Sequence, residues 1–256
     1  MTRSQVLVST DPGGTHAPRY SLLVASDSAE VLAAQRLRHL VFAEEMHAKL
    51  DSLVDGIDAD RFDEYCDHLV VRDDNTGEIV GTYRMLPPDR AAAAGGLYAD
   101  TEFDLTALDG LRGSLVETGR SCVHPDHRSG AVVSLVWAGL ARYMLLAGHR
   151  YLGGCASVPL DDAGMCAAGV WDLVRAKHYA PENQRVSPRR PWHADEIARP
   201  ARPVLPPLLK GYTRLGAKVC GPPAHDPDFG VADFFTLLDL QHVDERYLKF
   251  FLGIQL

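Results

Sequence analysis

The chain has 256 residues, 46% of them hydrophobic, 23% charged and 8% aromatic, which excludes disordered, fibrous and collagen-like classes. That length buries a sizeable core without disulfides or structural metal. With 26 basic against 34 acidic side chains the net charge is −8, which argues against nucleic acid as the principal partner.

Residues 1–19 are polar, rich in Gly, Pro, Ser and Thr, and aperiodic, so they read as a flexible leader ahead of a single domain over 20–256. Asp11-Pro12-Gly13-Gly14 interrupts any signal-peptide core. The longest uncharged apolar run, Ala131–Ala141, falls short of the ~18 residues a membrane span requires, so no span is expected, while contact with a membrane surface stays open. Five scattered cysteines without zinc spacing read as reduced thiols of a cytoplasmic protein.

In chain order, Tyr20–Ala25 reads as a strand, and Asp27 or Ser28 caps a helix carrying Val31, Leu32, Leu37, Leu40 and Val41 at helical spacing. His68–Val71 and Glu78–Met85 flank Asp73-Asp74-Asn75-Thr76-Gly77 and predict an antiparallel hairpin. Residues 87–113, with Pro87-Pro88, an alanine run and several glycines, predict an irregular excursion. Leu115–Val123 is a strand. Ala131–Leu146 is apolar almost all round, the pattern of a helix covered on several sides. Tyr151–Val158 is a strand, Gly164–Lys177 a helix, and Pro181–Pro207, with seven prolines, a long loop. Leu208–Leu215 resumes helical spacing, Phe229–Leu240 is a late strand and Val243–Leu252 a closing helix. The order predicts an α/β (α+β) fold, a mixed sheet with helices on both sides.

The stretch Glu117-Thr118-Gly119-Arg120-Ser121-Cys122-Val123-His124-Pro125-Asp126-His127-Arg128-Ser129-Gly130-Ala131 is a strand that turns directly into a helix. Unpaired N–H groups at such a helix start, close approach at Gly130 and the charge of Arg128 suit an anionic group, although a structural turn explains the same residues. Val123, Pro125 and Arg128 match the strand-turn-helix motif of GNAT-fold acyltransferases, whose later glycines are missing here. The chain resembles, within that fold, the ornithine N-acyltransferases of ornithine-lipid synthesis, with acyl-homoserine-lactone synthases as more distant relatives, and the resemblance implies a GNAT-like, mixed and mostly antiparallel sheet flanked by helices. The likeness spans about residues 20–252 and includes Arg38-His39-Leu40-Val41-Phe42, Phe62-Asp63-Glu64-Tyr65-Cys66-Asp67-His68-Leu69, Gly81-Thr82-Tyr83-Arg84, Leu205–Tyr212 and Asp226-Pro227-Asp228-Phe229.

The resemblance implies that Cys122, Val123, Arg128, Ser129, Gly130 and Ala131 cradle the phosphopantetheine of the donor, with no other cofactor and no metal. The thinned glycine loop favours acyl carrier protein over acyl-CoA, because a carrier presents one phosphodiester where CoA presents a pyrophosphate. The resemblance also places Asp63 and Asp67 around the acceptor pocket, with Arg38, Arg84 and Arg120 either holding the acceptor's carboxylate or locking those aspartates. Phe42 lines the pocket or belongs to the core. Acylating an amine requires its free base, and Glu117 is the candidate general base, the alternative being an ion pair with Arg120. Strand alternation puts Glu117 and Arg120 on opposite faces unless a bulge at Gly119 intervenes. Related enzymes place an acid for the leaving thiol near Tyr179 or His178.

Between Arg175 and Lys218 there are ten basic and three acidic side chains, which suits docking of an acidic carrier protein, attraction to anionic lipid, or simply a solvated loop. Between Phe42 and Asp67 nine acids face two bases, which suits a cationic acceptor. No GxSxG or HExxH occurs, and His124 with His127 make a poor metal pair. The implied activity is transfer of a long fatty acyl group, with or without a 3-hydroxyl, from a carrier thioester to the α-amine of ornithine, giving a lyso-ornithine lipid. Alternatives are another amino acid or a homoserine-type acceptor, or a non-catalytic lipid-binding protein touching membrane through Phe250–Ile254.

Overall fold

Apolar and β-branched runs pair into one nine-stranded sheet, seen in a computed structural model that describes residues 5–10, 19–128 and 130–243. The expected leader holds the first strand, β1 (Gln5–Ser9), which pairs antiparallel with β2 (Tyr20–Val24). Leu7 is buried on it and Val8 packs against the same core cluster, an anchor of two residues within a mostly polar segment. α1 (Ser28–His39) is capped by the Asp27 carboxylate, which accepts the Ala29 and Glu30 N–H groups at 2.9 Å. A π-helical turn over Leu40–Glu45 extends it and buries Val41 and Phe42.

β3 (Asp67–Asp73) and β4 (Ile79–Leu86) form the expected hairpin, with Gly77 at φ +81° in its reversal. The excursion expected over 87–113 is instead an ordered cap. It contains α2 (Pro88–Ala93), 3₁₀ turns at Tyr98–Thr101 and Thr106–Ser114, and β5 (Phe103–Asp104), which pairs with Ser187–Pro188. Phe103, Leu105 and Leu108 seal this cap onto the sheet. Helical periodicity could not reveal it, because 3₁₀ turns repeat every three residues and are short.

β6 (Leu115–Val123), α3 (Gly130–Ala147), β7 (Tyr151–Pro159) and α4 (Met165–Lys177) follow, then β8 (Ser187–Pro188), α5 (Pro207–Arg214), β9 (Lys218–Val219), β10 (Ala224–Asp226) and β11 (Val231–Asp239). The sheet runs β1-β2-β3-β4-β6-β7-β11-β10, with β9 also on β11, and among the described strand pairs β6·β7 alone is parallel. The expected late strand begins at Val231, and the closing helix lies outside the described residues beyond Val243.

α3 departs from the expectation of cover on several sides. Val132, Leu135, Leu140, Tyr143 and Met144 pack on the sheet, whereas Val133, Leu145 and Leu146 are exposed. Among the described helices it alone is long and apolar enough to cross a membrane, but its buried face belongs to the largest core cluster. All five cysteines are unbridged.

Candidate active site

Where β6 and β7 part, the fold opens a cavity. Their pairing covers only Leu115–Glu117 against Tyr151–Gly153; beyond it β6 pairs with β4 through Val123, and β7 with β11 through Pro159. The parting point requires glycine, since a Cβ on Gly154 would sit 2.1 Å from the Thr118 carbonyl oxygen. The resulting cavity, of about 240 Å³, takes Glu117, Thr118, Gly119, Arg120 and Ser121 from β6 and Cys155 and Ser157 from β7.

A bulge brings Glu117 and Arg120 to this one cavity. Between Arg84↔Gly119 and Thr82↔Cys122, β6 carries one more residue than β4. Arg120 absorbs it at φ +52°, a left-handed conformation that costs an L-residue ~1–2 kcal/mol. The bulge lies next to the expected Gly119. Glu117 does not pair with Arg120: its oxygens accept the Tyr98 N–H at 2.6 Å and the Ala99 N–H at 2.8 Å. Burial pushes its carboxyl up to about 7, against the pull of those two amides and Arg84.

Arg120 is held by ion pairs to Asp58 (3.2 Å) and Asp60 (3.3 Å), with its guanidinium over the rings of Tyr98 and Phe229. Arg84 pairs with Asp60 at 2.7 Å and reaches Asp63 at 3.5 Å. Both arginines line the cavity, and together they hold the Asp60 carboxyl below its usual range despite burial.

Other expected residues lie elsewhere. Arg38 is wholly buried, pairing with Asp58 and Asp63 at 2.8 Å each, and Asp63 also accepts the Asp60 N–H. Arg38 and Asp63 thus pair away from the cavity lining, where three arginines and three aspartates neutralise one another. Asp67 accepts the Tyr143 hydroxyl at 2.7 Å and pairs with Arg90, away from the cavity. Tyr179 packs edge-on against Trp171 with Arg185 over its ring, and neither it nor His178 reaches the cavity. Phe42 lines the cavity and also packs in a core cluster against Phe229.

Around the expected phosphate loop, Cys122 is buried with Leu37 and Val41, its thiol pushed up to about 12 by burial. The Val123 carbonyl accepts the Arg128 Nε at 3.1 Å, and the Arg128 guanidinium is taken bidentately by Glu45 at 2.6 and 2.5 Å. The charge expected to face a phosphate is therefore already paired. Gly130 and Ala131 open α3, and Ser129 lies outside the described residues.

Sequence reading gave no site role to Tyr98, Glu102, Asp226 or Asp233, although Asp226 lies in a segment that carries the resemblance. One oxygen from each of the three carboxylates lies within 4.8 Å of the others, at the cavity wall. Asp233 is buried and accepts the Ser157 hydroxyl at 2.6 Å, while Asp226 Oδ1 accepts the Asp228 and Phe229 N–H groups. None of the three has an ion-pair partner among the described residues. The legible signal was Asp233 itself, a charge inside the apolar run Val231–Leu238. Glu102 gave none, being carried by the cap.

The mixed sheet whose central parallel pair parts beside a buried carboxylate belongs to an N-acyltransferase of the GNAT class: the family model described as an acetyltransferase (GNAT) domain matches residues 37–138. Solved structures show the same fold: a CoA-dependent acyl-homoserine lactone synthase (TM-score 0.54, 18% identity, 90% of this chain and 85% of that one) and an N-acyl amino acid synthase from uncultured soil microbes (0.56, 14%, 90% and 94%). The chain belongs to the L-ornithine N(alpha)-acyltransferase family. It is 37% identical to the Rhodobacter capsulatus enzyme over 91% of this chain and 94% of that one, and 36% identical to the Brucella abortus enzyme over 89% and 87%.

Proposed function

We propose that this N-acyltransferase moves a long fatty acyl group from a thioester to the α-amine of ornithine, giving a lyso-ornithine lipid. The observation that carries the reading is Glu117, a buried carboxylate with a pKa of about 7 at the parting of β6 and β7. The free α-amine attacks the thioester carbonyl carbon, Glu117 takes the proton of the resulting ammonium directly or through water, and the C–S bond breaks as that proton passes on to the leaving sulfur, which departs as the thiol and leaves Glu117 ionised again. Past Glu117 the edge of β6 has no β7 partner, so its backbone N–H groups are available to the developing oxyanion. Arg84 and Arg120 face the acceptor's carboxylate, and Phe42, Met46, Leu208 and Phe229 offer an apolar wall to the acyl chain.

The donor is acyl carrier protein. Supporting this are the missing loop glycines, the Glu45–Arg128 pair at the loop, and the basic residues between Arg175 and Lys218, which are exposed. The deciding experiment incubates the protein with acyl carrier protein thioester or acyl-CoA and each amino acid in turn, followed by mass analysis. An amide with ornithine is expected; no amide with ornithine from either donor would overturn the reading.

A further inference from the structure

The acceptor reading above leaves one group of ornithine, its distal ammonium, without a partner. The cationic side chain was expected to meet Asp63 and Asp67, but Arg38, Arg84, Arg90 and Tyr143 consume those carboxylates. The opposite situation holds across the cavity. Glu102, Asp226 and Asp233 converge with no basic partner, although like charges this close repel unless a cation or a proton separates them. The Glu102 Oε2 atom is sealed from solvent, its carboxyl meets the Cys155 thiol and the Tyr98 hydroxyl but no basic group, and its residue lines the cavity.

We propose that Glu102, Asp226 and Asp233 form the subsite for the acceptor's side-chain ammonium, and so select a diamino acid over a neutral one. The proposal rests on the acyltransfer reading and supplies its acceptor specificity. A primary ammonium offers three N–H donors, one for each of the three carboxylates. Glu117 lies on the same cavity, so one end of the acceptor meets the base while the other meets the carboxylates.

Protonation supplies a second readout. Burial and the neighbouring Asp233 and Asp226 carboxylates push Glu102 up to about 8, and burial pushes Asp233 up to about 6. Facing them are the Cys155 thiol, itself raised by burial, the Tyr98 hydroxyl, Ser157 and the field of Arg120. Near pH 7 the cluster therefore holds a proton that an incoming ammonium displaces.

The test is calorimetry of ornithine binding to the full chain without donor, in buffers of differing ionisation heat, beside steady-state kinetics. Expected are release of about one proton on binding to the wild type, and an ornithine KM raised on the order of tenfold or more in Glu102→Gln and Asp233→Asn. Norvaline, which has the same length without the ammonium, should be acylated by those variants at least as well as by the wild type. Unchanged ornithine affinity in both variants would overturn the subsite while leaving acyltransfer intact. Absence of ornithine binding to the wild type would also overturn it, as would activity lost to a chelator and restored by calcium, which would make the cluster a metal site. Absence of any amide product, with binding and its variant dependence preserved, would sink the acyltransfer reading alone.

Discussion

Glu117 has the pKa a base needs near neutrality because burial disfavours its charge while the Tyr98 and Ala99 amides keep the anion accessible. Only the ionised carboxylate accepts a proton, so kcat/KM should rise with pH through about 7, and Glu117→Gln should lower it by ~10²–10⁴-fold while removing that limb. A variant with near-normal rates would end the assignment. Burial also carries a stability signature. Glu117, Glu102 and Asp233 keep their protons up to about 7, 8 and 6, whereas in the unfolded chain they release them near 4. Between about pH 4.5 and 8 the native state thus binds more protons than the unfolded one, and stability must fall as pH rises across that window. Scanning calorimetry should show Tm declining over it, with a shallower slope in Glu102→Gln; parallel slopes would contradict this origin. The sequence made Glu117 legible because amide formation demands a base and the resemblance placed a glutamate there. Its environment was not legible, because both amides come from a cap 18 and 19 residues away in sequence.

At the scale of elements, the site depends on two backbone irregularities. The bulge at Arg120 was readable in outline, since Glu117 and Arg120 can share a face only if strand alternation is broken between them. The parting of β6 from β7 was not, because strand neighbours are chosen by the whole sheet. Gly154 marks the last close approach, and Gly154→Ala would press a methyl against the Thr118 carbonyl, a backbone atom that cannot swing aside. We expect a loss of about 1–3 kcal/mol by urea titration together with reduced turnover. Retention of both would mean that the strands separate there at no cost. The cap over 87–114 escaped sequence reading for a different reason. Its alanines, glycines and 3₁₀ turns have little periodicity, and its order comes from Phe103, Leu105 and Leu108 packing on Phe235 and Leu237 of β11.

Across the whole molecule, charge is segregated in a way that composition conceals. Acidic residues between Phe42 and Asp67 fold back onto Arg38, Arg84 and Arg120 and neutralise them, whereas the basic residues between Arg175 and Lys218 lie exposed. If that exposed set docks an acidic carrier, Arg189→Glu with Arg190→Glu should raise the KM for carrier-bound donor several-fold more than for free acyl-CoA, and the difference should shrink at high salt. Equal effects on both donors would remove the docking role. The sequence by itself determined the class of fold, the hairpin and the strand that carries Glu117, because these follow from local periodicity, and the need for a bulge, because the family resemblance puts Glu117 and Arg120 at one site while strand alternation separates them. Only the tertiary structure decided which carboxylates are spent and which are free. Asp63 and Asp67 are quenched by arginines and a tyrosine from other elements, while Glu102, Asp226 and Asp233, far apart along the chain, meet without a counter-charge. The field at a carboxylate is set by what packs around it in space, and neighbours in sequence do not report that.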